Sequence, residues 1–292
     1  MKEINIVRNI IYIFQIFTKK PKVSIAVLLL AFLTYPYEVM IARPKMVYMG
    51  IPSSTSFNLN HFNRIFRNSS FMVGYSDYRG NPLWVTYKLS QIPSNSRRLK
   101  RPSSFSSDWR NITSIKQTDY TNSGYDRGHL APNYAISRLY GKEAPKSTFL
   151  MTNISPQKPN LNRKIWQRLE EVEVKYFTKK FKKIWVTTGP IFDKKITKLK
   201  SSDYVEIPDA FYKIFVGVND NQEPKMLALI IPQTVKGYEP FSKFVVTVDK
   251  VEELSGFDFF SKLDDRLESK LEASKDMKPW QLKSFDSMKS RY

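Results

Sequence analysis

Tyr125-Asp126-Arg127-Gly128-His129-Leu130-Ala131-Pro132 is the stretch on which the reading of this 292-residue chain turns. A given tetrapeptide such as Asp-Arg-Gly-His arises by chance in about one chain in 500 of this length, so the string does not decide alone. A second block follows at a suitable distance: Thr152-Asn153-Ile154-Ser155-Pro156-Gln157, then Asn160-Leu161-Asn162 and Trp166-Gln167-Arg168-Leu169-Glu170. The chain has only two histidines, His61 and His129. An imidazole titrating near neutrality suits general-base chemistry, and His129 sits in the motif, whereas His61 has no such setting and reads as structural. If the stretch is extended, Arg127 points to the same side as His129 and sets a bidentate anion donor beside it. Asp126 then falls on the opposite face, where fixing the backbone or an adjacent basic residue competes with a functional role.

Outward from this centre the pattern is mostly strand. FMVGY (71–75) and PLWVTYKL (82–89) flank the turn-forming Asp77-Tyr78-Arg79-Gly80-Asn81-Pro82 and predict a hairpin. Residues 147–154 (STFLMTNI), 183–188 (KIWVTT, ended by Gly189-Pro190), 210–218, 226–231 and 244–248 predict further strands. Leu161, Ile165, Leu169, Val172 and Tyr176 recur at helical spacing behind Pro159 and a capping Asn160, which is the clearest helix in the chain. The last 24 residues are polar with few apolar anchors and read as a loosely packed tail.

Together the two blocks resemble the ββα-metal DNA/RNA non-specific endonucleases, the family of the secreted sugar-non-specific bacterial nucleases and mitochondrial endonuclease G. Thr188-Gly189-Pro190, the run from Ile207 to Lys213 (IPDAFYK) and the run from Thr247 to Glu252 (TVDKVE) before Ser255-Gly256 extend the similarity over about residues 48–263. The resemblance implies an α+β domain on a central antiparallel sheet, and metal-dependent cleavage of DNA and RNA without sequence preference. It makes His129 the general base and Asn162 the sole direct protein ligand of Mg²⁺, with Mn²⁺ as the alternative ion. Mg²⁺ keeps most of its waters and takes few protein ligands, which suits one neutral oxygen. The matching glutamate, Glu170, acts through a water or an arginine. On an ideal α-helix it lies about 80° around and roughly 12 Å along from Asn162, too far to share the ion. Arg127 and, through a looser match, Arg101 bind phosphate, and Gly128 admits its close approach. Asn153 and Gln157 brace the site. From the residues alone, Asn162 could instead cap the helix, Glu170 could be a solvated charge, and Asn153 and Gln157 could satisfy loop backbone.

Composition narrows the setting. Hydrophobic residues at 41% and aromatics at 14% exclude a disordered or low-complexity chain. Zero cysteines exclude disulfides and thiolate sites, and two histidines exclude a His-rich zinc site, so any metal here takes oxygen ligands. The net charge of +20 favours a polyanionic partner. Residues 1–45 carry seven Lys or Arg and two acids, so the rest of the chain keeps +15 and is itself basic. Lys19, Lys20 and Lys22 precede the apolar run VSIAVLLLAFLTY (23–35), and Ile4 to Phe17 could lie along a membrane surface. The run reaches bilayer length only if Pro36 and Glu38 are included, which leaves a signal-anchor, a cleaved signal and a core helix open. A small-x-small cleavage site is poor, so an uncleaved anchor is the reading preferred, with the basic flank cytoplasmic. The expected plan is therefore a 1–42 anchor or signal segment, a 43–268 endonuclease domain and a 269–292 polar tail. The domain is placed on an extracytoplasmic bacterial face, with a secreted or mitochondrial setting as the alternatives. Expected partners are DNA and RNA and, through the N-terminal segment, a membrane; a homodimer is left open. The rival class is a non-catalytic nucleic-acid-binding or DNA-uptake protein, which has no need of His129, Asn162 and Glu170 together.

Overall fold

The structure, a computed structural model, describes residues 18–97, 99–193, 195–220 and 223–290. The expected surface stretch 4–17 and Arg98 lie outside them. The chain divides into two compact units, Met1–Lys45 and Met46–Tyr292, a boundary three residues beyond the expected 42.

In the first unit, helix α1 (Pro21–Tyr37) begins with proline at its first turn, where the missing N–H leaves no bond unmade. Pro36 does not end it, and winding continues through Glu38–Ala42. Pro21–Met46 is 26 residues long and contains an 18-residue window with a mean hydropathy of 1.9, long and apolar enough to cross a membrane.

The second unit is built on a seven-stranded antiparallel sheet. Its strands are β2 (Arg64–Arg67), β3 (Phe71–Ser76), β4 (Asn81–Leu89), β7 (Lys183–Ile191), β8 (Ala210–Val218), β9 (Lys225–Pro232) and β10 (Val245–Val246), in the order β10-β9-β8-β7-β4-β3-β2. A short pair, β1 (Ser53–Ser54) with β11 (Phe257–Asp258), stands apart, as does β5 (Asp126–His129) with β6 (Ile154–Gln157). The expected hairpin is β3 and β4, and β7 runs through Gly189-Pro190 instead of stopping there.

Both faces of the sheet are covered, so its strands are apolar almost throughout. On one face Tyr87, Val186, Phe211 and Phe215 pack with Leu161, Ile165, Trp166, Leu169 and Val172 of a long helix, α4, over residues 161–180. On the other, Trp84, Tyr212, Ile214 and Val216 pack with Val248 and Val251 of α5 (Val248–Ser255) and Leu271 of α6 (Asp265–Glu272). Helices α2 (Asn133–Tyr140) and α3 (Ala144–Thr148) fill the connection from β5 to β6.

Four local expectations change. Residues 147–154 are not one strand: Ser147 and Thr148 close α3, a 3-10 turn follows at Met151–Asn153, and extension starts at Ile154. Residues 244–248 yield only the two-residue β10, because Thr247 accepts a bond from the Lys250 N–H and starts α5. Asn160 occupies the cap of α4 but its side chain makes no capping bond. The C-terminal segment is firmly packed. Trp280 and Leu282 are buried, Trp280 packs edge-on or tilted against Phe177, Phe181 and Phe215, and Arg168 reaches from α4 to the Asp286 carbonyl at 3.0 Å. The expected boundary at 268/269 falls inside α6. Two large apolar side chains outweigh the polarity of everything around them.

Candidate active site

The pairing of β5 with β6 sets Asp126 opposite Gln157, Arg127 opposite Pro156, Gly128 opposite Ser155 and His129 opposite Ile154. The chain then turns through residues 158–160 into α4, whose first six residues, Leu161–Trp166, wind as a π-helix. This ββα sequence places His129, Arg127, Asn162, Glu170 and Arg101 on the walls of one cavity of about 860 Å³. The 80° separation counted on an ideal α-helix does not hold across π-wound turns, and Asn162 and Glu170 face the same space.

His129 lies between Phe105 and Phe149, with ring centroids at 5.4 and 4.9 Å. Its Nε2 is enclosed with no hydrogen-bond partner, which leaves Nδ1 as the nitrogen open to the cavity. Burial, helped by the positive charge of Arg101, pushes the imidazole down to about 3, so in the free site it stays neutral at any physiological pH and is a weak base until negative charge comes beside it.

Asn162 is held from behind. Its Nδ2 donates to Asp126 Oδ2 at 3.0 Å, and Asp126 also accepts from Arg163 Nε at 2.8 Å and Nη2 at 2.6 Å. Burial works to raise the Asp126 carboxyl, but these hydrogen bonds outweigh it and hold the group below its ordinary value. With the amide nitrogen committed to Asp126, the Asn162 Oδ1 takes no hydrogen bond from the described residues. Arg163, next to Asn162 in the chain, is a cavity residue that periodicity did not single out. Arg138 on α2 is another, brought in by the long β5 to β6 connection.

Glu170 is pushed up to about 8, chiefly by burial. Lys213 opposes that rise and the neighbouring Glu173 adds to it. Behind it, Lys213 and Glu173 form a fully buried ion pair at 3.2 Å, completed by the Tyr87 hydroxyl donating to Glu173 at 3.1 Å. That ion pair is a structural charge set that the sequence did not announce.

Arg127 is partly committed: its Nε and Nη2 both donate to the Gln117 carbonyl, at 3.1 and 2.7 Å. Arg101 is exposed and lies over the Phe149 ring at 5.1 Å. Asn153 is fully buried and clamps the turn after His129, accepting from the Ala131 N–H and donating to the Ala131 and Thr148 carbonyls, all within 3.0 Å. Gln157 is buried and does not line the cavity. A Cβ on Gly128 would sit 2.2 Å from Gln157 Oε1, so the glycine makes room for this glutamine. Both polar atoms of Gln157 are buried without a partner. His61 lies outside the cavity, its ring against Gly256 and Phe257.

Taken as chemistry, the cavity offers a neutral imidazole nitrogen, one directed amide oxygen, a carboxyl group poised near neutrality, and a wall of cations in Lys100, Arg101, Arg127, Arg138 and Arg163. Such a set is chemically suited to an anionic chain and to proton transfer beside it.

A family model described as DNA/RNA non-specific endonuclease matches residues 53–266. A protein named Nuclease from a Nostoc species is 28% identical over 244 residues, covering 78% of this chain and 85% of its own. Human mitochondrial nuclease EXOG is 29% identical over 208 residues, covering 66% of this chain. The chain spans 55% of the length of that relative. A solved structure of an EndoG/EndoGI complex superimposes with a TM-score of 0.62 at 26% identity, over 70% of this chain and 89% of the other.

Proposed function

From the fact that this chain belongs to the DNA/RNA non-specific endonuclease family, we propose that it hydrolyses phosphodiester bonds in both DNA and RNA, with His129 as the general base and a divalent cation, Mg²⁺ or Mn²⁺, as cofactor. The observation that carries this reading is the meeting of His129, Asn162 and Glu170 in one cation-lined cavity. The residues fit a hard cation: Asn162 presents an oxygen fixed by Asp126, and Glu170 is a buried carboxyl whose ionisation a nearby positive charge would favour. Asn162 would hold the ion directly and Glu170 through the surrounding water. Bound there, the cation supplies charge neutralisation for the leaving oxygen.

The rest falls to the protein. Arg101 and the uncommitted side of Arg127 hold the phosphate, and the neutral His129 Nδ1 takes the proton of the attacking water. The entering phosphate brings negative charge against the imidazole and raises its basicity from the depressed value of the free site. Contacts are to the backbone, so neither sequence nor sugar is read, and the cationic wall accounts for affinity. The test is nicking of plasmid DNA and degradation of single-stranded RNA by the full-length protein with Mg²⁺ and with chelator. Cleavage of both substrates that stops with chelator is expected. Tight binding without cleavage would instead fit the non-catalytic binder.

The helix Pro21–Met46 supports a membrane anchor that leaves the domain on the extracytoplasmic side. The mitochondrial relatives support the alternative of an organellar setting, where the same helix would serve as the anchor.

A further inference from the structure

On the sheet face opposite α4, three carboxylates meet without a counter-charge. Asp249 and Glu252 lie one turn apart on α5 and Glu272 closes α6, with ligand oxygens all within 4.8 Å of one another. Glu272 is only 6% exposed; a carboxylate oxygen of it faces this group, and its buried Oε1 has no hydrogen-bond partner among the described residues. Glu252 has a single backbone bond, accepting from the Phe259 N–H at 2.7 Å. Asp258 and Glu268 add negative charge from β11 and α6. In a chain of net charge +20, no Lys or Arg among the described residues pairs with any of these five acids. The lysines nearest in sequence are engaged elsewhere, Lys250 with Glu253 and Lys270 with Glu223.

A buried, unpaired carboxylate among like charges is strongly unfavourable unless something positive joins it. Oxygens bound to one ion at about 2.3 to 2.6 Å lie at most about 4.6 to 5.2 Å apart, a range compatible with three oxygens all within 4.8 Å of one another, and Ca²⁺ accepts irregular carboxylate sets where Mg²⁺ demands a near-ideal octahedron. Asp249 is exposed, giving the ion a way in, and Glu272 is buried, giving it a floor. We propose that Asp249, Glu252 and Glu272 bind Ca²⁺ and so clasp α6 to α5, a structural site separate from the phosphodiesterase centre. The Asp249 to Glu252 stretch belongs to the TVDKVE motif, for which the reaction at His129 has no use.

The test is calorimetric titration of Ca²⁺ into chelator-stripped full-length protein, with the thermal unfolding midpoint followed in parallel. Wild type takes up Ca²⁺ and its midpoint rises. Asn162→Ala, altered only at the nuclease centre, keeps both responses. Glu272→Gln weakens Ca²⁺ binding by at least about tenfold and loses the midpoint shift, while its DNA cleavage stays at the wild-type level. A wild-type midpoint indifferent to Ca²⁺ overturns the proposal, as does Ca²⁺ binding that survives in Glu272→Gln and disappears in Asn162→Ala. If Glu272→Gln does not fold, Asp249→Asn at the exposed rim makes the same comparison, and unchanged Ca²⁺ affinity there overturns it equally.

Discussion

Asp126→Ala isolates the part of the mechanism that the sequence left undecided. In the wild type, the Asp126 carboxylate accepts from Asn162 Nδ2 at 3.0 Å, and an inverted amide would set oxygen against oxygen. A hydrogen bond to a charged group is worth about 1.5 to 3 kcal/mol, so the orientation with Oδ1 toward the cavity is favoured by about 10- to 150-fold. Without Asp126 the two amide orientations become nearly equal, the negative charge behind the ligand is gone, and Arg163 is released from α4's neighbour strand. Loss of a group that orients a ligand typically lowers metal affinity by about 10- to 100-fold, and the Mg²⁺ concentration giving half-maximal cleavage should rise by that factor. Stability should hardly change, because the Arg163 side chain is 60% exposed and such a pair contributes about 0 to 1 kcal/mol. The assay is plasmid cleavage across a Mg²⁺ titration, beside thermal unfolding of the same preparation. A half-maximal Mg²⁺ concentration within about twofold of wild type, in a folded variant, would refute the claim that Asp126 aims Asn162.

Three further outcomes are expected. Arg101→Ala should reduce the slope of log affinity against log salt for duplex DNA by about 1, equally for unrelated sequences; an unchanged slope would make Arg101 a solvated charge. In chelator, stability should fall as pH rises from about 5 to 9. Glu170, Glu252 and Glu272 are raised to about 8, 7 and 9, so in this window the folded chain holds protons that the unfolded chain has lost. His129, lowered to about 3, acts oppositely and destabilises the fold as pH drops below about 6.5, but one such group offsets only part of the three carboxyls, so the net fall from pH 5 to 9 stands; an unfolding midpoint that rises toward pH 9 contradicts this. Full-length protein should pellet with membranes, and a version starting at Arg43 should stay soluble and active; full-length protein soluble without detergent would rule out the anchor.

What could be read in advance was whatever repeats with a short period or sits in a contiguous motif. Strands β3, β4, β8 and β9 follow from runs of β-branched and aromatic residues bounded by turns, and the body of α4 from the spacing of Leu161, Ile165 and Leu169. His129 and Asn162 were visible because each lies inside a short chemical string. The relation between Asn162 and Glu170 was not, since a count at 100° per residue assumes α-winding and Leu161–Trp166 is π-wound. The partners of Asp126 and the Lys213–Glu173 pair depend on segments 37 and 40 residues apart, beyond any local pattern. Gly128 was ambiguous because a missing side chain says that something comes close without saying what; the structure brings Gln157 there. The C-terminal segment misled because its composition is polar while its packing rests on Trp280 and Leu282.

The account stands most directly on His129→Ala, measured as single-turnover cleavage of plasmid DNA across a Mg²⁺ titration. The imidazole makes no hydrogen bond to Asn162 or Asp126 among the described residues, so its loss should leave the half-maximal Mg²⁺ concentration and DNA affinity close to wild type. The rate at saturating Mg²⁺ should fall by at least about 100-fold, the lower end of what a positioned general base supplies. Cleavage within about tenfold of wild type would mean that another group takes the proton and that the assignment of His129 is wrong.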